Sequence, residues 1–595
     1  MDRKTILIIG ICFVLMLAIN KLANTVYPPH QLPPGATNAP ATATSTNAAA
    51  VAATAQTNVT VVATPAPQLA VPTNSTEVLV VVTNEYARYT FTSRGGGMKL
   101  VELLHYPETV SHSRKTIVDP HHLATLNAES PVPTLAILGG DAIQGDDVYT
   151  LTQLTNGVRA EKTLTNGLRI VKEFKPDGDY LIKTTVRMEN LSMQPLALPA
   201  QEWVVGTATP MNAQDNGVMT IGTMWYDGVK TDDKYDAWFA NRGFMCTPGT
   251  PRTEPFSGGA SNVVWAAAHN QFFALVAMPH DPAQQVIVRK VNLPAPSEDE
   301  IINDTRTVLK PVGFETTLVY PALTLTTNIE RQITIYAGPK EYRTLARIGA
   351  EFNNNLDKVM SFGKFSGFFS KALLLSMNWL HSFLKLPYGW AIVAITIIIK
   401  VLFWPLTQAS TRSMKRMQAL QPQMKAIAEK YKDDPAKKNQ KTMAFMKENK
   451  VNPMSGCLPM LIQMPVFIGF FYMLRTAIEL RGAGFLWNHD LSQPDTLFTI
   501  PGTNFPFNLL PLIMGGVMLW QTHLTPPSPG VDPGQQKIMR YLPMIFLVFL
   551  YNYSAGLALY WTVQNLLTVL QTKLTKNIPA PALASPLTPL QKKSK

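Results

Sequence analysis

Apolar and polar positions alternate in short runs from residue 75 to about 345, then give way to long apolar stretches separated by short charged ones between 366 and 575. In the first region EVLVVV, RYTFTS, VYTLTQL, LRIVKEF, YLIKTTVRM, TTLVYPALTLTT and RQITIYAG have strand-like character. Asn156-Gly157, Asn166-Gly167 and Pro176-Asp177-Gly178 lie between them as turn signals. An antiparallel β-sandwich over 75–345 is predicted. Residues 28–74, rich in Ala, Thr, Pro and Asn with almost no charge, cannot bury a core and read as a disordered linker.

The second region reads as helices. FSGFFSKALLLSMNWLHSFL is apolar but carries Lys371, Asn378, Trp379 and His381, which predicts an amphipathic helix at 366–385 lying in a membrane interface. Spans are predicted at about 388–408, 456–478, 506–524, 541–552 and 556–573, a five-span core over 388–575. Asp2, Arg3 and Lys4 precede an apolar run from Ile6 to Ile19, so residues 1–27 are expected to form an uncleaved signal anchor. The predicted fold class is a polytopic α-helical membrane protein with a large β-domain inserted after its first span.

Basic residues orient it. The loop 411–452 holds Arg412, Lys415, Arg416, Lys425, Lys430, Lys432, Lys437, Lys438, Lys441, Lys447 and Lys450 against Glu429, Asp433, Asp434 and Glu448. By the positive-inside rule it is cytoplasmic, as are both termini, including the basic tail 576–595, and the β-domain is outside. Met417, Leu420, Met424, Ile427 and Tyr431 follow a helical spacing, Pro422 weakens one turn, and Met443 and Met446 restart an apolar face beyond the turn at 432–435. The loop reads as a helical hairpin. Its methionines either pack the two helices together or form a face that adapts to varied partners.

Only 15% of the 595 residues are charged and 46% are hydrophobic, with a net charge of +12 that clusters beside apolar spans. That placement favours topology over nucleic-acid binding. Cys12, Cys246 and Cys457 suggest neither a disulfide framework nor a zinc site. No Gly-x-Ser-x-Gly, phosphate loop or His-Glu-x-x-His occurs, and adjacent His121 and His122 would point to opposite faces of a strand. No enzyme activity and no cofactor are expected. Arg94-Gly95-Gly96-Gly97 reads as a flexible turn.

Lys400 is the exception in an apolar span without acid. A buried cation costs about 3 kcal/mol on insertion scales, so it either snorkels to headgroups or faces a hydrated groove inside the bundle. Thr396, Lys400 and Thr407 share a helix face, while Gln463 lies in the next span and Thr562, Gln564 and Asn565 in the last. These neutral polar residues favour the groove. The absence of Asp and Glu from the spans weakens the alternative, a small-solute transporter or channel.

ITIIIKVLFWPLTQASTRSMKRMQALQPQMKAI, VNPMSGCLPMLIQMPVFIGFFYMLRTAIELR, WNHDLSQPD, DPGQQKIMRYLPMIF and SAGLALYWTVQNLLTVLQ, in that order, resemble the YidC/Oxa/Alb family of membrane protein insertases in its bacterial form. The resemblance implies an inner-membrane protein with five core helices around a hydrophilic groove and a periplasmic β-supersandwich similar to galactose mutarotase. It further implies newly made membrane proteins as substrates, the Sec translocon and membrane lipids as partners, and contact of Tyr560 and Trp561 with the entering substrate helix. The basic loop and tail would meet a ribosome or targeting factor. The family's groove charge is typically arginine, and Lys400 stands at that position.

Overall fold

The computed structural model describes residues 68–72, 75–110, 122–212, 215, 220–241, 249–252, 254–259, 261–298, 308–363, 366–432, 434–449, 458–500, 505–524, 545 and 547–575. The expected signal anchor, most of the linker, the three cysteines, His121, residues 541–544 and 546 of the span expected at 541–552, and the basic tail lie outside them. The chain divides into two compact units, a β-unit whose last residue is Met360 and a helical unit that runs on from Ser361 and also takes in Val110.

In the β-unit a nine-stranded sheet runs in the order Thr231–Tyr235, Gly222–Tyr226, Trp265–His269, Phe273–Pro279, Asn328–Pro339, Leu181–Asn190, Leu168–Pro176, Gly157–Thr163, Thr150–Leu154. A five-stranded sheet runs Phe256–Gly258, Gln285–Asn292, Val312–Tyr320, Gln201–Ala208, Ile137–Leu138. The pairings within both are antiparallel. The two sheets pack together, with Thr316 Oγ1 donating to Thr223 Oγ1 at 2.8 Å between them. Buried Trp203, Trp265, Phe174, Phe273 and Phe314 fill the core. A further four-stranded sheet runs Leu79–Thr83, Ala87–Thr92, Gly97–Pro107, Leu123–Leu126. The hairpins fall at the turn signals: Leu154 pairs with Gly157 across Thr155-Asn156, and Gly167 supplies a φ of +86°. TTLVYPALTLTT is two strands rather than one run, because Pro321 follows Tyr320, the end of the first.

The Arg94–Gly97 turn is packed rather than flexible. Gly95 and Gly96 have φ of +73° and +56°, and a Cβ on Gly96 would stand 2.3 Å from Tyr149 Cγ. Beneath the turn Lys172, fully buried, donates to the carbonyls of Gly95 at 2.8 Å and Leu135 at 2.7 Å. Its amine lies 4.4 Å from the Tyr149 ring centre, and Lys162 lies 4.5 Å from the same ring while donating to the Gln144 carbonyl at 2.6 Å. Burial, followed by the nearby Lys162 charge, holds the Lys172 amine well below the usual lysine range. The linker's end is also shorter than expected: Ala70 N donates to Asp147 Oδ2 at 2.9 Å and Gln144 Nε2 to the Gln68 carbonyl at 2.9 Å. Residues 68–72 therefore belong with the β-unit.

The helical unit contains α1 (Gly367–Leu384), α2 (Tyr388–Leu402), α3 (Trp404–Ala419), α4 (Gln421–Lys430), α5 (Pro435–Glu448), α6 (Leu458–Thr476), α7 (Leu509–Leu524) and α8 (Ala555–Thr575). Two short strands, Thr496–Ile500 and Phe505–Asn508, pair between α6 and α7. Among the described residues no single helix is long and apolar enough to cross a membrane; α1 and α2 meet the test together but are bent by 118°. The stretch expected as one span at 388–408 is two helices divided at Phe403. Pro405 lacks the N–H that would bond the Val401 carbonyl, which interrupts the ladder there. Pro422, in the first turn of α4, goes with a second division at Leu420.

Candidate functional site

One face of α8 carries Tyr560, Gln564, Thr568 and Gln571, spaced by four, four and three residues. Against it pack α2, α3, α6 and α7. Gln463 of α6 donates through Nε2 to the Tyr560 hydroxyl at 2.6 Å and accepts at Oε1 from Gln564 Nε2 at 2.9 Å. Lys400 of α2 donates from Nζ to Thr568 Oγ1 at 2.8 Å. Gln571 Nε2 donates to Thr407 Oγ1 of α3 at 2.6 Å. A polar seam thus links three helices to the last one.

Lys400 is 6% exposed, and among the described residues it makes no ion pair. A hydroxyl oxygen offers this ammonium one acceptor for its three donors, so the site retains a capacity for anionic or carbonyl groups. Gln564 Oε1 and Asn565 Nδ2 are also buried without a hydrogen-bond partner among the described residues. Each such group costs roughly 1–3 kcal/mol when left unsatisfied in an apolar interior. The seam is therefore suited to holding a polar segment by hydrogen bonds and one positive charge.

Not every expected residue joins it. Thr396 is buried but donates back to the Ile392 carbonyl of its own helix at 2.7 Å, and Thr562 does the same to Ala558 at 2.7 Å. Thr407 does not continue the Lys400 face on one helix; the division before Pro405 puts it on α3, where it reaches Gln571. Trp561 packs edge-on to Phe467 with ring centres 4.4 Å apart, and Tyr560 stacks on Phe470 at 4.1 Å. Thr568 and Gln571 join the seam without standing out in the sequence, where they are the four- and seven-residue continuation from Gln564.

The hairpin methionines separate into two kinds. Met424 and Met446 are buried with Leu420 and Phe445 in a small core, with Ile427 against it, so packing is their role there. Met443 is 57% exposed, and the side chain of Met417 lies outside the described residues. Met424→Ala is expected to destabilise the α4–α5 pair by about 2 kcal/mol, whereas Met443→Leu should leave it unchanged. Hydrogen exchange of the α4 and α5 amides in the intact protein measures the difference. Equal protection in both variants would contradict this assignment.

A family model described as the 60Kd inner membrane protein matches residues 379–581, which include every residue of the seam, and one described as the YidC periplasmic domain matches residues 79–375. The membrane protein insertase YidC of Cupriavidus necator is 31% identical over 520 residues, covering 85% of this chain and 84% of that protein. The chain belongs to the YidC family of membrane protein insertases. The YidC insertase of Geobacter sp. (strain M21) is 32% identical over 494 residues, with 81% of this chain and 82% of the relative covered. A crystal structure of an active YidC insertase with its first transmembrane domain resolved is similar at 18% identity and a TM-score of 0.32, covering 86% of this chain and 95% of that one. The nine- and five-stranded sheets fall within the residues matched by the YidC periplasmic domain, and the seam within those matched by the 60Kd inner membrane protein.

Proposed function

We propose that this chain inserts newly made proteins into the inner membrane by receiving the polar flank of an incoming segment at the seam around Lys400. The observation that carries the reading is a buried ammonium with a single threonine hydroxyl as its described partner, one helical turn from Gln564, whose Oε1 has no hydrogen-bond partner among the described residues. A substrate's apolar helix would slide along the bundle and partition into lipid, driven by burial of its side chains. The seam lowers the barrier for moving the short hydrophilic segment that precedes it, because a fixed charge and fixed dipoles replace part of the lost hydration. No covalent step is involved.

The apolar character of α2, α6, α7, α8 and the 541–552 stretch supports five spans that hold the seam inside the membrane, with a sixth crossing at the N-terminus. Basic residues on α3, α4 and α5 support a cytoplasmic position for that side, where a ribosome or targeting factor would meet them. Exposed Trp379, Phe383 and Leu384 support an interfacial position for α1. The Sec translocon is a further expected partner.

Insertion by purified full-length protein in phospholipid vesicles tests the reading. A small two-span test protein should become protease-protected only in vesicles containing the chain. Uptake no greater than in protein-free vesicles would overturn it. Because the seam is built entirely from helices after Ser361, removing residues 79–360 should preserve at least half of that insertion. A stably produced truncation with no activity would show that the β-unit takes part.

A further inference from the structure

We propose that the hairpin formed by Thr496–Ile500 and Phe505–Asn508 is an interfacial anchor that lays one apolar face into the outer leaflet of the bilayer. The inference rests on the membrane-spanning reading of the helices. Register makes the face: Phe498 pairs with Phe507 and Ile500 with Phe505, and alternation along each strand puts all four on the same side. Phe498 is 53% exposed, Ile500 37% and Phe505 48%, and neither strand carries a charged residue.

The root of the hairpin is fixed by polar contacts. Asn508, fully buried, donates through Nδ2 to the Tyr551 carbonyl at 2.8 Å and accepts from Thr496 Oγ1 at 2.7 Å. Leu510 N donates to Asp495 Oδ2 at 2.6 Å. Phe505 stacks on Tyr551 with ring centres 5.2 Å apart, and Phe498 stacks on Phe507 at 4.8 Å. The orientation of the apolar face is thereby set before any partner arrives.

Continuity identifies the partner as lipid. Asn508 runs directly into α7, whose Leu512 and Ile513 are 39% and 36% exposed. At this end of the bundle, Trp390 at the start of α2 is 51% exposed and packs edge-on to Phe485 of the same connecting segment, ring centres 5.3 Å apart. Exposed aromatic side chains at the end of an apolar bundle are the signature of a membrane–water boundary. A charged rim, which a protein partner in water would favour, is missing from the two strands.

Spin labels on the full-length chain test the proposal in vesicles of phosphatidylethanolamine and phosphatidylglycerol, after the native cysteines are replaced by serine. Labels on Phe498→Cys and Ile500→Cys should relax more with oxygen than with a water-soluble nickel complex, as should one on Ile513→Cys of α7. A label on Val229→Cys, an 84% exposed position of the β-unit, should show the opposite order. In Ile500→Cys, adding Phe498→Ser and Phe505→Ser should reverse the order at position 500. Nickel-dominated relaxation at 498 and 500 with oxygen-dominated relaxation at 513 would overturn the anchor and leave the spans standing. Nickel-dominated relaxation at 513 as well would overturn both. Shielding of 498 and 500 from both reagents would mean that protein covers the face, and would also overturn the anchor.

Discussion

Lys400→Glu is expected to lower insertion of a substrate with an acidic translocated tail on the order of tenfold, equivalent to ~1.4 kcal/mol of lost stabilisation. The reversed charge would repel the tail and would face Thr568 and the seam amides without a counter-ion. Lys400→Arg should remain within about twofold of the native chain, since it keeps the charge, although the planar guanidinium meets the single hydroxyl differently. Alanine should fall between them, with a loss that grows as the tail carries none, two or four acidic residues. Thr568→Val separates charge from hydrogen bonding: it removes the acceptor at 2.8 Å but leaves the ammonium, so the dependence on tail acidity should persist. Equal insertion by every Lys400 variant, together with no labelling of Lys400→Cys by a water-soluble reagent, would reduce this lysine to a headgroup-seeking anchor.

Gly96→Ala should unfold the β-unit at markedly lower temperature. The residue sits at φ +56° and its new Cβ would lie 2.3 Å from Tyr149 Cγ, within the ring that flanks Lys172 and Lys162. A left-handed alanine costs about 1–2 kcal/mol and overpacking a further ~1–3, for a total of about 3 kcal/mol. For a unit of this size that corresponds to a fall of roughly 6–12 °C in Tm. Gly178→Ala is the control, because φ is not left-handed there and nothing stands within 4 Å of the added atom. It should leave Tm nearly unchanged. Equal melting shifts in the two variants would show that neither the positive φ at Gly96 nor its contact with Tyr149 contributes.

The sequence made much of this architecture readable where local chemistry and tertiary packing agree. Asn156 and Gly167 mark hairpins because two-residue turns and positive φ demand such residues, and they stand where the structure turns. Lys172 was not readable: a lysine within LRIVKEF reads as a solvent-facing strand position, and only the fold brings the Gly95 and Leu135 carbonyls to it. In the helical unit Lys400, Gln463 and Gln564 stood out because polarity is costly in apolar helices, and contacts made through Tyr560 and Thr568 bring them into one seam. Thr407 leaves the Lys400 face because Pro405 divides the run, and its partner Gln571 lies 164 residues away. The Thr496–Asn508 hairpin was hidden inside a stretch whose apolar residues resemble the start of a span.

If substrate passes the seam, a nascent chain must crosslink to it. A photoreactive amino acid would replace Thr568 or Gln564 in the full-length membrane protein, and Ile398, 56% exposed on α2, would serve as the comparison. Ribosomes stalled on a membrane-protein substrate, with its polar flank at successive distances from the stall site, would supply the target. Adducts should form from positions 564 and 568 several-fold more than from 398, and only at lengths that bring the polar flank to the seam. Adducts from 398 alone, or equal adducts at every position and length, would place the substrate path away from the seam.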